Sequence, residues 1–142
     1  MKLIKSDVEM FDRVYDPFIR IEQVGRTCYK SNSEYTRETA VKFFKQLVDN
    51  KHHAMLEHAV FTFKVGDELY SNYVGMPYVK YSCLHGFCYI TANLRAIKEN
   101  RMYPFMQELI QVENYPELNY YFQFTANDII PKENNVKLEK GT

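Results

Sequence analysis

A chain of 142 residues, 46% apolar and 25% charged, is long enough for one globular domain with a real hydrophobic core. Eighteen Lys and Arg balance 18 Asp and Glu, so net charge is zero and the pI lies near 6.9. That balance argues against non-specific binding to nucleic acid or to anionic membranes. No apolar run approaches the ~18 residues of a membrane span, and the N-terminal Met-Lys-Leu-Ile-Lys-Ser lacks the apolar stretch of a signal peptide. The expectation is a cytoplasmic protein.

The chain has 12 tyrosines and 10 phenylalanines but no tryptophan. So many tyrosines suggest half-buried rings whose hydroxyls reach water or a partner chain. Cys28, Cys83 and Cys88 are odd in number and form no C-x-x-C. Reduced, buried thiols are the default reading, with a Cys83–Cys88 disulfide left open.

In chain order, Lys2 to Ser6 reads as a short strand. Asp16-Pro17 is a helix start, with Asp as cap and Pro at the first helical position. Ile21, Val24 and Cys28 then form an apolar stripe. Gly25 weakens that helix, and close packing against a neighbour is the reason to keep it. Lys30 to Tyr35 reads as a polar loop. Thr36 caps a second helix, in which Ala40, Phe43, Phe44, Leu47 and Val48 recur at helical spacing until Asn50.

The segment from Leu47 to Phe63 organises the rest. The second helix runs into His52 and His53, a connection carries Met55, Leu56, Glu57 and His58, and a strand follows from His58 to Val65. Ala59, Phe61 and Phe63 fall on one strand face, Val60 and Thr62 on the other. Junctions of this kind are rigidly placed yet reachable by ligand. A plainer reading is that the histidines complement the negative end of the helix dipole. Zinc held by these histidines and a cysteine is disfavoured, because adjacent helical residues point about 100° apart.

Gly66-Asp67 signals a turn. Residues 68 to 76 fit helix or strand, and Pro77 closes them. Tyr78 to Leu84 alternates as a strand, His85-Gly86 reads as a turn or bulge, and Phe87 to Thr91 as a further strand. Asn93 caps a helix carrying Leu94 and Ile97, interrupted at Pro104. Phe105, Met106, Leu109 and Ile110 resume the stripe. Pro116 opens a last short helical stretch with Leu118, Tyr121 and Phe122. The expected fold class is α/β (α+β), a small, mainly antiparallel sheet packed with helices. One domain is expected over residues 1–126, followed by a polar C-terminal tail over residues 127–142.

Three segments together resemble the flavin-dependent thymidylate synthases, the ThyX family. Leu56-Glu57-His58-Ala59-Val60-Phe61-Thr62-Phe63 is similar to that family's EH-x-x-F-x-F junction. Gly25-Arg26-Thr27-Cys28-Tyr29-Lys30-Ser31 resembles its A-R-x-[SC]-[YF] segment, and Thr91-Ala92-Asn93-Leu94-Arg95-Ala96-Ile97 its N-[AL]-R-[SA]-[LI] segment. The resemblance implies a truncated form of that fold, with FAD and deoxyuridine monophosphate bound between subunits of a homotetramer. It also implies methylene transfer from methylenetetrahydrofolate, with NADPH reducing the flavin. By motif, the cofactor-binding residues would be His52, Glu57, Asn93, Arg95 and Cys28. Each has a structural counterpart: Cys28 as core, Asn93 as a helix cap, Glu57 as a partner of His58 or of a helix N-terminus. Arg95 in a first helical turn is disfavoured by the dipole and so calls for a carboxylate or phosphate partner.

The family's R-H-R-x-x-S-x-N-E-x-S-x-R signature is absent. Asp67 to Met76 stands in its place, without an arginine. Ala54, Glu99 and Pro104 occupy places where the family carries a small hydroxyl residue, an asparagine and an arginine. The expectation is therefore a shortened relative with weak or no synthase activity that self-assembles, the alternative being a non-catalytic self-assembling α+β binding module. Crowding of Tyr70, Tyr73, Tyr78, Tyr81, Phe87 and Tyr89 supports a homo-oligomer, a tetramer by resemblance.

Overall fold

A computed structural model describes residues 16–25, 36–112, 115–128 and 136–139, apart from the side chains of Glu68, Leu69, Val112 and Ala126. The expected strand at Lys2 to Ser6, the loop at Lys30 to Tyr35, and Cys28 lie outside the described residues.

Helix α1 (Pro17–Gly25) starts where Asp16 caps it: the Asp16 carboxylate accepts from the N–H groups of Phe18 (2.9 Å) and Ile19 (3.1 Å). Helix α2 (Arg37–Asp49) starts at Thr36, whose hydroxyl accepts from the Thr39 N–H at 3.2 Å while the Thr39 hydroxyl receives the Thr36 N–H. This is a capping box with Thr in the place usually held by Glu or Gln. The two helices pack closely at Gly25, where an added Cβ would stand 2.6 Å from the tip of the Phe43 ring. Phe18 meets Phe44 edge-on, with centroids 5.1 Å apart.

The His-rich connection has regular structure of its own. Lys51 adopts a left-handed φ of 60°, and His53–His58 then forms a 3-10 helix with Leu56 buried beneath it. Strand β1 (Val60–Val65) therefore begins at Val60 rather than at His58. Its alternation is as expected: Phe61, Phe63 and Val65 are buried, and Val60 faces out.

The ambiguous segment folds as helix α3 (Asp67–Tyr73), with Gly66 as its extended N-cap residue. Strands β2 (Val79–Leu84) and β3 (Phe87–Asn93) form a hairpin whose two-residue turn has positive φ at both His85 (54°) and Gly86 (82°). Two such residues match the right-handed twist of the flanking strands. β3 also pairs antiparallel with β1, and among the described residues the sheet is four-stranded, in the order β2-β3-β1-β4, with β4 at Lys137–Glu139.

Helix α4 (Leu94–Glu99) stops before Pro104: Arg101 turns left-handed at φ 52°, and α5 (Tyr103–Gln107) takes Pro104 near its start, where a missing N–H costs nothing. A π turn at Glu108–Val112 follows. A 3-10 turn at Pro116–Leu118 leads into the short helix α6 (Asn119–Phe122).

The expected loose tail contains a strand. In β4 (Lys137–Glu139), Leu138 lies opposite Phe63 of β1, and its N–H donates to the buried Glu108 carboxylate at 3.2 Å. Three residues are too few for periodicity to betray them, and Leu138 is the single apolar residue among them.

The core gathers Phe18, Ile21, Phe44, Leu56, Phe63, Ile90, Leu94, Ile97, Phe105 and Tyr121 into one cluster. It lies on the face of the sheet that carries Phe61, Phe63, Ile90 and Ala92, where Phe63 meets Phe105 edge-on at 4.7 Å. The other face presents Val60, Leu84 and Phe87, each roughly half exposed. Among the described residues no helix is long and apolar enough to cross a membrane.

Candidate functional site

Antiparallel pairing of β1 with β3 sets Val60 opposite Asn93, so the start of one strand meets the end of the other. The backbone ties the two junctions together, since the Leu94 N–H donates to the Ala59 carbonyl at 2.9 Å. Asn93 ends β3 and caps α4, its side-chain oxygen accepting from the Ala96 N–H at 2.8 Å. Its side chain is thus committed to the helix start.

Arg95, on the first turn of α4, has the carboxylate partner that its unfavourable place on the helix dipole calls for; in fact it has two. Its terminal nitrogen Nη1 donates to Glu57 at 2.9 Å and its Nε to Glu99 at 2.9 Å. The Glu99 and Glu57 carboxylates hold the guanidinium further toward its charged form. Among the described residues, Glu57 hydrogen-bonds Arg95 rather than His58 or a helix end.

Behind this triad lie His53, Lys98 and Tyr121. The His53 ring meets Tyr121 edge-on at 5.2 Å. The Lys98 ammonium donates to the Tyr121 backbone carbonyl at 2.6 Å and stands 4.5 Å over its ring. Burial, with the nearby Lys98 and Arg95 charges, lowers the His53 pKa below its usual 6.5. Burial, with the Glu99 charge, pushes the Tyr121 hydroxyl up to about 12. At neutral pH the cluster thus holds a neutral imidazole and a neutral phenol beside two cations and two carboxylates.

Of the sequence-predicted residues, the fold brings Glu57, Asn93 and Arg95 together. His52 stands apart from their hydrogen bonds, exposed at the entry to the 3-10 helix, with its N–H donating to the Leu47 carbonyl. Cys28 lies outside the described residues. Glu99, Lys98 and Tyr121 were not among the sequence candidates. The Arg95–Glu99 pair was readable from its i, i+4 spacing, whereas Tyr121 reads in sequence only as an apolar stripe residue.

An anion entering here would have to displace carboxylates, because both nearby cations are already engaged. A flavin pyrophosphate needs free cations or free N–H donors, and at this cluster Arg95 and Lys98 are both taken. Lys64 offers no substitute: it lies four residues along β1 from Val60, about 13 Å away at strand rise, with its ammonium 3.7 Å over the Phe87 ring. Among the described residues, no group of three or more His, Cys, Asp or Glu could hold a metal ion.

A family model described as Thy1, thymidylate synthase complementing protein, matches residues 9–68. The match takes in α1, α2, the 3-10 helix with Glu57 and His58, and β1, and it stops before Asn93 and Arg95. No curated protein and no solved structure matches the chain. The chain thus bears a partial resemblance to the flavin-dependent thymidylate synthase family, confined to residues 9–68 of 142.

Proposed function

We propose that this protein is a shortened, thymidylate synthase-like protein that keeps the family's helix–strand junction but methylates deoxyuridine monophosphate weakly or not at all. The observation that carries this reading is the double ion pair of Arg95 with Glu57 and Glu99. It unites two segments that resemble family motifs, which supports the relationship. It also occupies the guanidinium that a flavin or a nucleotide phosphate would need, which supports loss of catalysis. Positioning of reactants can account for several kcal/mol of a barrier, and a nucleotide without a cationic anchor loses much of it. The test is complementation of a thymidine-requiring strain, followed by an assay of the pure protein with FAD, NADPH and methylenetetrahydrofolate. The expected results are no growth and a colourless protein. Growth without thymidine, with thymidylate formed in the assay, would overturn the reading.

A second reading, a self-assembling module without catalysis, is favoured by the exposed apolar residues of the sheet's outer face, Val60, Leu84 and Phe87. Light scattering at micromolar concentration tests it, and a strict monomer mass would remove it.

A further inference from the structure

We propose that Cys83 and Cys88 form a cross-strand dithiol, which a low-molecular-weight disulfide converts to an intramolecular disulfide across the β2–β3 hairpin. The two residues lie directly opposite each other in the register, with their sulfur atoms 2.6 Å apart. The two-residue turn makes Leu84 and Phe87 the closing hydrogen-bonded pair. Alternation then makes Cys83 and Cys88 a non-hydrogen-bonded pair, whose Cα atoms approach to about 4.5 Å. That separation lies inside the range disulfides span without moving the backbone.

The two thiols have different surroundings. Cys83 is exposed on the edge strand, while Cys88 is buried on the core face of β3. Helix α3 closes over that end of the hairpin: Tyr70 packs edge-on against Tyr81 at 6.0 Å, and the Cys88 thiol donates to the Asp67 carboxylate at 3.8 Å. The hydrogen bond with Cys83, then burial, push the Cys88 thiol up to about 11. This arrangement assigns attack to Cys83 and resolution to Cys88.

Cys83, as thiolate, attacks one sulfur of the small disulfide and expels the other as a thiolate. Cys88, its proton passing to the first expelled thiolate, then attacks the Cys83 sulfur and expels the second small thiolate. Two protein thiols and one small disulfide give one protein disulfide and two small thiols. The protein loses two hydrogens, and the small disulfide gains them.

The test uses the reduced full-length protein treated with oxidised glutathione, alkylated, and mapped by mass spectrometry. Trypsin leaves both cysteines in the single peptide from Tyr81 to Arg95. The expected result is a protein without intermolecular disulfides whose Tyr81–Arg95 peptide is two hydrogens lighter, resists alkylation, and recovers both thiols with dithiothreitol. In Cys83→Ser that peptide should carry one alkylatable thiol and no internal link. A persistent glutathione adduct on Cys83, a disulfide-linked dimer, or two freely alkylated thiols would each overturn the proposal.

Discussion

Asn93, the last residue of β3, lies directly opposite Val60, the first residue of β1. This pairing puts Arg95 within 2.9 Å of Glu57 although 38 residues separate them in the chain. Sharing of one site by the two junctions required the end of β3 to meet the start of β1, and the antiparallel register meets that condition. A one-residue slip would turn Phe61 and Phe63 out of the core, so the burial that stabilises β1 also fixes the place of Glu57 and Arg95.

Replacing Asn93 with Ala should destabilise the protein by about 1 kcal/mol, because the Ala96 N–H at the start of α4 loses its acceptor. Asn93→Asp should keep most of the stability, since a carboxylate caps equally well and suits the helix dipole. Urea unfolding of the two variants measures the difference. Equal loss in both would show that Asn93 contributes something other than a cap.

Gly25→Ala sets two effects against each other. Alanine favours a helix interior by roughly 1 kcal/mol, but Gly25 is the last residue of α1, where that gain is smaller. The added methyl would stand 2.6 and 2.7 Å from Phe43 ring atoms, with the Met55 methyl at 3.4 Å behind it. Overpacking of this kind costs about 1–3 kcal/mol, so the net effect should be destabilising. Gly25→Ala with Phe43→Leu should recover much of the loss, which thermal unfolding of single and double variants checks.

The elements legible in the sequence were those that repeat a pattern or carry specific turn chemistry. Ala40, Phe44 and Leu47 mark the buried stripe of α2, Asp16 and Thr36 mark helix starts, and His85-Gly86 marks the hairpin. Gly25 was legible because a glycine in an amphipathic helix invites a packing explanation. The 3-10 helix at His53–His58 was not, since its residues follow no apolar period. β4 was not, because it adds only Leu138 to the core. Arg95's need for a carboxylate could be argued from the helix dipole, but the choice of Glu57 depends on a strand register that no local pattern encodes.

The depressed pKa of His53 makes a pH prediction. Since the folded state holds the imidazole below 6.5, the unfolded chain binds more protons in the window beneath that value. The contribution of His53 is therefore fully present above about pH 6.5 and is lost as pH falls through the lower folded value. Urea midpoints between pH 7.5 and pH 5 should fall for the natural protein and fall less for His53→Gln. Parallel slopes would show that burial and the Lys98 and Arg95 charges do not hold the ring neutral.

If the two carboxylates on Arg95 are what suppress anion binding, neutralising them should restore it. In Glu57→Gln with Glu99→Gln the amide oxygens still accept hydrogen bonds, but the guanidinium keeps its full charge toward a ligand. Exposed pairs of this kind contribute little to stability, so the double variant should unfold at nearly the natural urea concentration. Its affinity for deoxyuridine monophosphate, by calorimetry at physiological ionic strength, should rise several-fold. Glu38→Gln, which removes a charge from the first turn of α2, serves as control for a general change in field and should leave affinity unchanged. Adding Arg95→Ala to the double variant should abolish the gain. An affinity that rises equally in the control, or that survives loss of Arg95, would show that the ion-paired guanidinium is not the group that limits anion binding.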